Sequence, residues 1–167
     1  MVTLPRMLRH LLCTTWKARR AFPAATLQAI QQEIGAGETR HRAELRLIIE
    51  PALSTAQILD GLSARGRAHE LFSHYRLWDT EENCGVLIYL NLADHSVDII
   101  TDRGIGQAVA RADWEAACRT MTAGFAAGRF HESALAGISH VNALLGQHFP
   151  ADGTDRSNEL SDRPLIL

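Results

Sequence analysis

The chain is sparing with the residue patterns that announce a function. Three cysteines, Cys13, Cys84 and Cys118, stand far apart, with no C-x-x-C. That excludes a disulfide framework and a cysteine zinc site, and leaves reduced, buried thiols as the simple reading. Lysine is nearly absent: Lys17 is the only one, so the positive charge is carried almost wholly by arginine. The net charge is −2, which argues against a nucleic-acid binder and against an acid-tail protein. No apolar run reaches the ~20 residues that span a bilayer. Leu8 to Cys13 is too short, and too interrupted by Arg9 and His10, for a secretory core. These features point to a cytoplasmic address. Internal repeats and low-complexity tracts are missing as well.

Catalytic signatures are equally scarce. Eight histidines form no H-x-H, H-x-x-H or H-E-x-x-H. There is no G-x-S-x-G elbow, no phosphate-binding G-x-x-x-x-G-K-[ST] and no D-x-D-x-D-G calcium loop. Gly104-Ile105-Gly106 lacks the third glycine of a dinucleotide loop. Cys84 precedes Gly85 at a strand entrance, a place for a reactive thiol, but the acids at 79, 81 and 82 should raise its pKa and argue against a nucleophile.

What remains is a composition of 46% hydrophobic and 22% charged residues over 167 positions, normal for one folded domain. The organising stretch is Trp78 to Gly104. An acidic loop, Asp79-Thr80-Glu81-Glu82-Asn83, enters the apolar run Val86–Leu90. A turn at Asp94-His95-Ser96 leads to a second β-rich run, Val97–Thr101, which ends in Asp102-Arg103-Gly104. This is a β-hairpin. Upstream, Ala43–Glu50 alternates, with Leu45, Leu47 and Ile49 facing one way and Glu44 and Arg46 the other. Ser54 and Gln57 form a capping box, and a helix from Ser63 carries Ala64, Ala68, Leu71, Phe72 and Tyr75. Strand, helix, strand makes a right-handed parallel βαβ unit. The expected fold is α/β: a three-layer αβα sandwich around a small mixed sheet of a βαβ unit plus a hairpin.

Helices complete the layers. Pro23 opens one that carries Leu27, Ile30 and Ile34. Asp113 is expected to cap another with Trp114, Ala117, Cys118, Met121 and Phe125, closed by Gly128. A last one runs from His131 to His148. Residues 1–22 read as a basic amphipathic N-terminal helix, 23–150 as the α/β domain, and 151–167 as a flexible tail. The N-terminal helix carries Leu4, Met7, Leu8, Leu11, Leu12 and Trp16 on one face, with Arg6, Arg9, Lys17, Arg19 and Arg20 around it. Docking on its own domain or on a second copy is the preferred reading. An anionic membrane or a partner protein contacted through Arg6, Arg9, Trp16, Lys17, Arg19 and Arg20 is the other.

The topology gathers polar residues. Glu44 begins the first strand, Asn83 precedes the parallel second, and Asp102 ends the antiparallel third. All three fall at one sheet edge, which the loop with Asp79, Glu81 and Glu82 enters. Hard oxygen donors on turns suit Ca²⁺ or Mg²⁺. The competing reading is a solvated acidic turn partly neutralised by Arg103 or Arg42.

These residues resemble the TPM domain family over roughly residues 40–150. The resemblance rests on Ala43-Glu44-Leu45, Arg67-Ala68…Leu71-Phe72, Trp78–Ile88, Val97–Ile105, and Phe125, Gly128, Phe130, Leu135, Gly137 and Ile138. It is nearest to a short bacterial branch of uncharacterised proteins. Cys84 stands where the family has a second Asn, and Ala43 where it has Gly. The transmembrane helices and Gly-rich tails of many relatives are missing. The resemblance implies an αβα sandwich and, in some members, a divalent cation at the acidic edge, here Glu44, Asp79, Glu81, Glu82, Asn83 and Asp102. It further implies weak phosphatase activity in the plant branch, for which Arg103 is the candidate anion contact, and accessory roles in membrane complexes elsewhere in the family.

Overall fold

The computed structural model describes residues 4–153 and 160–167. The sheet has four strands in the order β3-β2-β1-β4. Strand β1 (Glu44–Glu50) pairs in parallel with β2 (Gly85–Asn91), and β2 pairs antiparallel with β3 (Ser96–Thr101). The fourth strand, β4 (Leu165–Ile166), lies parallel to β1 through Ile48 and Ile49.

Every residue of β2 is buried. The strand is apolar at both parities because both its faces are covered. On one face Leu45, Leu47, Ile49, Val86, Ile88, Leu90, Val97 and Ile99 pack under three helices: α3 (Ala24–Glu38), α7 (Arg111–Ala126) and α8 (Phe130–His148). On the other, Ile48, Leu87, Tyr89 and Ile100 pack under α5 (Ala64–His74). The short α4 (Thr55–Leu59) carries the expected capping box, in which Ser54 Oγ accepts from Gln57 N and Gln57 Oε1 accepts from Ser54 N. The chain is therefore an α/β sandwich around a mixed open sheet. Among the described residues no helix is long and apolar enough to cross a membrane.

Three local expectations change. The N-terminal segment is two helices, α1 (Leu4–Leu12) and α2 (Thr15–Ala21), not one. The break at Cys13-Thr14 lets α1 pack on α4 while α2 turns toward β1 and β4, where Ala18 and Phe22 are fully buried. The N-cap of α7 is Ala110, and Asp113 sits inside the first turn, where its charge suits the helix dipole. Residues 160–167 are not a tail. Leu167 N donates to Ile49 O at 3.0 Å, and Leu160, Leu165 and Leu167 pack against the α5 face of the sheet. Residues 154–159 of the expected tail lie outside the described residues.

Because β4 covers the outer edge of β1, removing residues 160–167 should lower unfolding free energy by about 2–4 kcal/mol, the value of one or two partly buried leucines plus lost ladder bonds. Urea denaturation followed by circular dichroism checks this. An unchanged midpoint would show that β4 contributes nothing.

Candidate functional site

The acidic edge is organised by Gly85. Glu44 is its register partner on β1, and Asp102 N donates to Gly85 O at 2.9 Å. Glu44 and Asp102 thus flank Gly85, two strand spacings apart, about 10 Å on the backbone. A Cβ at Gly85 would lie 1.8 Å from Leu77 O. Only glycine lets the chain leaving α5 cross so close over the start of β2. That crossing sets the acidic loop above the edge.

Thr80 orders the loop from inside. It is buried, and its Oγ1 accepts from Cys84 N at 2.9 Å. Asn83 adopts a left-handed conformation with φ 53°, which asparagine tolerates better than most residues. The Asn83 carbonyl oxygen would lie 2.9 Å from a Cβ at Gly104, and that of Glu82 at 3.4 Å. Both carbonyls therefore sit against the first turn of α6 (Arg103–Ala108), the helix that Asp102 caps.

Asp102 is buried, at 7% exposure, and caps α6: its Oδ1 accepts from Arg103 N at 2.7 Å. Its Oδ2 is buried with no hydrogen-bond partner among the described residues. Arg42 Nε, also buried, likewise has none. The same guanidinium reaches the loop, because Arg42 Nη1 donates to Glu82 Oε2 at 2.7 Å.

The other expected residues are spread around the same edge. Asp79, Glu81 and Asn83 are exposed on the loop, and Glu82 is half-buried against Arg42. Arg103 is exposed one residue past Asp102. Glu44 turns toward the C-terminal segment, where its Oε2 accepts from Leu160 N at 3.1 Å. Among the described residues no three His, Cys, Asp or Glu side chains converge closely enough to hold a metal. Cys84 is buried and donates from Sγ to Arg42 O at 3.2 Å. Its pKa is raised first by burial, and only then by Glu44 and Glu82. That is the expected direction, with burial as the main cause.

The sequence gives no sign of a further carboxyl group at this end. Glu38, at the C-terminus of α3, accepts from Leu45 N through Oε1 at 3.2 Å. Burial pushes its pKa up to about 8, and the charges of Asp162 and Glu44 add to the rise. No sequence motif links these three positions; only the return of residues 160–167 onto the sheet brings Asp162 there.

A groove of about 570 Å³ runs along the free edge of β3. Asp98, Trp114, Cys118, Arg65 and Arg111 line it, and it reaches Thr101 and Gly106 next to the acidic edge. Trp114 Nε1 is buried and has no partner among the described residues. Burial raises the Asp98 pKa and pushes that of Cys118 up to about 11.

The cationic N-terminal residues do not form one surface. Arg6 turns inward: Nε and Nη2 bind Asp94 at 2.9 and 2.7 Å, and Nη2 also donates to Leu62 O at 2.8 Å. His10 is buried beside it. Its Nδ1 accepts from Leu53 N at 2.9 Å, so Nε2–H donates to Asp94 at 3.0 Å. Trp16, Lys17, Arg19 and Arg20 are exposed, and Arg9 is half-exposed near Asp94.

With this geometry in view, comparison with known proteins places the chain. The family model of the TPM domain matches residues 18–144. The chain belongs to the TPM domain family. Among solved structures it is similar to the BA42 protein of the psychrophilic bacterium Bizionia argentinensis, determined by NMR. The TM-score is 0.76 at 24% identity, over 87% of this chain and 94% of that one. That likeness shows the shared fold. No curated protein matches.

In this TPM domain Glu38 stays protonated in the folded state where an unfolded chain would ionise it. The unfolded form releases its proton above ~4.5 and the folded form only near 8, so Glu38 costs stability progressively as pH rises through that window. Glu38→Gln keeps an acceptor for Leu45 N. It should raise the melting temperature more at pH 8 than at pH 5, with a difference of at least ~1 kcal/mol in unfolding free energy. Equal effects at the two pH values would contradict the assignment.

Proposed function

We propose that the acidic edge of this TPM domain binds a divalent cation, Ca²⁺ or Mg²⁺, with Asp102 as its anchor. The observation that carries the reading is the buried, unpartnered Asp102 Oδ2. A carboxylate oxygen shielded from water without a partner is costly to maintain, and a hard cation satisfies it. The carbonyls of Glu82 and Asn83 lie beside the same turn and are oxygen donors of the type Ca²⁺ accepts. Glu82, Asp79, Glu81 and Asn83 on the loop are further candidate donors if their side chains turn in toward Asp102, Glu44 across Gly85 is engaged by Leu160 N, and water would complete the shell. Arg42 holds Glu82 in the absence of an ion, so cation binding competes with that ion pair.

The same edge is offered for weak hydrolysis of phosphate esters. A bound cation supplies Lewis acidity to a phosphoryl oxygen and to water. Arg103 contributes positive charge close to Asp102, and the groove along β3 gives the organic part of an ester a place to lie. The second reading is a non-catalytic accessory module, supported by the outward apolar face of α1.

Thermal melts with and without millimolar Ca²⁺ or Mg²⁺ test the cation. A site that binds only the folded chain adds about 2.7 kcal/mol at 100-fold excess over Kd. Asp102→Asn keeps the oxygen that caps α6 and removes the charge, so it should fold and lose the shift. No shift in the native chain, or the same shift in Asp102→Asn, overturns the reading. Arg103→Ala should leave the shift intact while lowering any turnover of a model phosphate ester.

A further inference from the structure

The first helix is docked the wrong way round for a helix that completes a core. Leu4, Leu8, Leu11 and Leu12 recur at the i, i+4, i+7, i+8 spacing of one helical face. That face points outward: the four leucines are 81%, 55%, 61% and 58% exposed. The polar residues of the opposite face, Arg6 and His10, are the ones that pack inward, on Asp94, Leu62 O and Leu53 N. The orientation is therefore set by a partly buried ion pair and two backbone contacts, and rotating the leucines inward would break all of them. Trp16 at the start of α2 continues the exposed surface at 65%. Exposed apolar side chains are common singly, but five together on two consecutive helices mark a contact surface.

The charges around this surface select its occupant. Residues 1–32 contain no Asp or Glu. Lys17, Arg19 and Arg20 are exposed on α2, and the Arg20 guanidinium lies over the Trp16 ring at 5.5 Å. Glu132 of α8 lines the same hollow as Lys17 and Arg20, and Arg19 faces another with Arg46 and Arg163, so the cations outnumber the acid around the foot. A leucine-rich helix followed by tryptophan and this excess of exposed positive charge fits a plane that is apolar at depth and anionic at its surface. A rigid protein groove would demand a shape match, whereas acyl chains accept a protruding leucine ridge without one.

We infer that α1 and α2 form an interfacial foot that seats this domain on an anionic phospholipid bilayer. Leu4, Leu8, Leu11 and Leu12 enter the acyl boundary, Trp16 lies at headgroup level, and Lys17, Arg19 and Arg20 meet lipid phosphates. The chain lies on the membrane and does not cross it. The Asp94 cluster holds the foot at a fixed angle to the sheet. This inference does not depend on cation binding at the acidic edge.

The test is co-sedimentation with vesicles of phosphatidylcholine mixed with phosphatidylglycerol, set against phosphatidylcholine alone, in the absence of divalent cations. The full chain should pellet with the anionic vesicles and much less with the neutral ones. The exposed double variant Leu8→Asp/Leu12→Asp should keep its circular dichroism spectrum and lose binding by ten-fold or more. Lys17→Glu/Arg20→Glu should weaken binding to anionic vesicles by roughly ten-fold and leave the neutral baseline unchanged. Absence of pelleting by the native chain, or equal pelleting by Leu8→Asp/Leu12→Asp, overturns the proposal. So does a native dimer in sedimentation velocity that the same variant dissociates, since the leucine face would then belong to a second copy.

Discussion

One close approach, the carbonyl of Leu77 against the bare Cα of Gly85, holds the acidic end of this domain together. It sits where four pieces meet: the exit of α5, the acidic loop, the start of β2 and the β3–α6 turn. Without a side chain at 85, the loop can lie across the strand that pairs with Glu44 on one side and bonds to Asp102 on the other. A methyl group there would push the loop off the sheet and separate the carbonyls of Glu82 and Asn83 from Asp102. The fully buried β2 beneath makes this edge rigid, because both faces of the sheet are packed.

The opposite end of the sheet solves a different problem. There the chain buries charge and satisfies it fully. Arg67 holds Glu50 through Nε and Nη2, Tyr89 donates to Glu50 at 2.5 Å, and Asn91 donates to the Tyr89 oxygen at 2.9 Å. Asp94 receives Arg6 and His10. Burial works against the Asp94 carboxylate, yet those hydrogen bonds hold its pKa below the ordinary value. The contrast is informative. The buried charges at the β3-turn end are paired, so they read as structure, and the one open polar atom there among the described residues is the neutral Ser96 Oγ; at the acidic end the open atoms, Asp102 Oδ2 and Arg42 Nε, belong to charged groups.

Much of this was legible in the chain because it depends on local periodicity. Alternation at Leu45, Leu47 and Ile49, the double-faced apolar run at Val86–Leu90 and the turn at Asp94–Ser96 specify strands, and the order of elements then specifies pairing. From that pairing alone Glu44, Asn83 and Asp102 come to one edge. What was not legible depends on contacts distant in sequence. Amphipathicity identifies a face on α1 but not whether that face is inside, which an aspartate 88 positions from Arg6 decides. Strand β4 is two residues long after Pro164, too short to carry a period. Glu38 also has a neighbour, Asp162, that no motif joins to it. The diversion of Glu44 and Glu82 into other pairings is likewise a matter of side-chain competition that spacing cannot resolve.

The proposed cation site joins Asp102 Oδ2, without a partner among the described residues, to the loop carbonyls at the first turn of α6. Titration of the ¹⁵N-labelled chain with Ca²⁺ and with Mg²⁺, followed through backbone amide resonances, tests it most directly. The account predicts saturable shifts that share one binding curve and map to 82–85 and 102–106, with the loop amides around Asp79 and Glu81 following. Shifts confined to Glu38, Glu44 and the segment around Asp162, or none at millimolar ion, would contradict it.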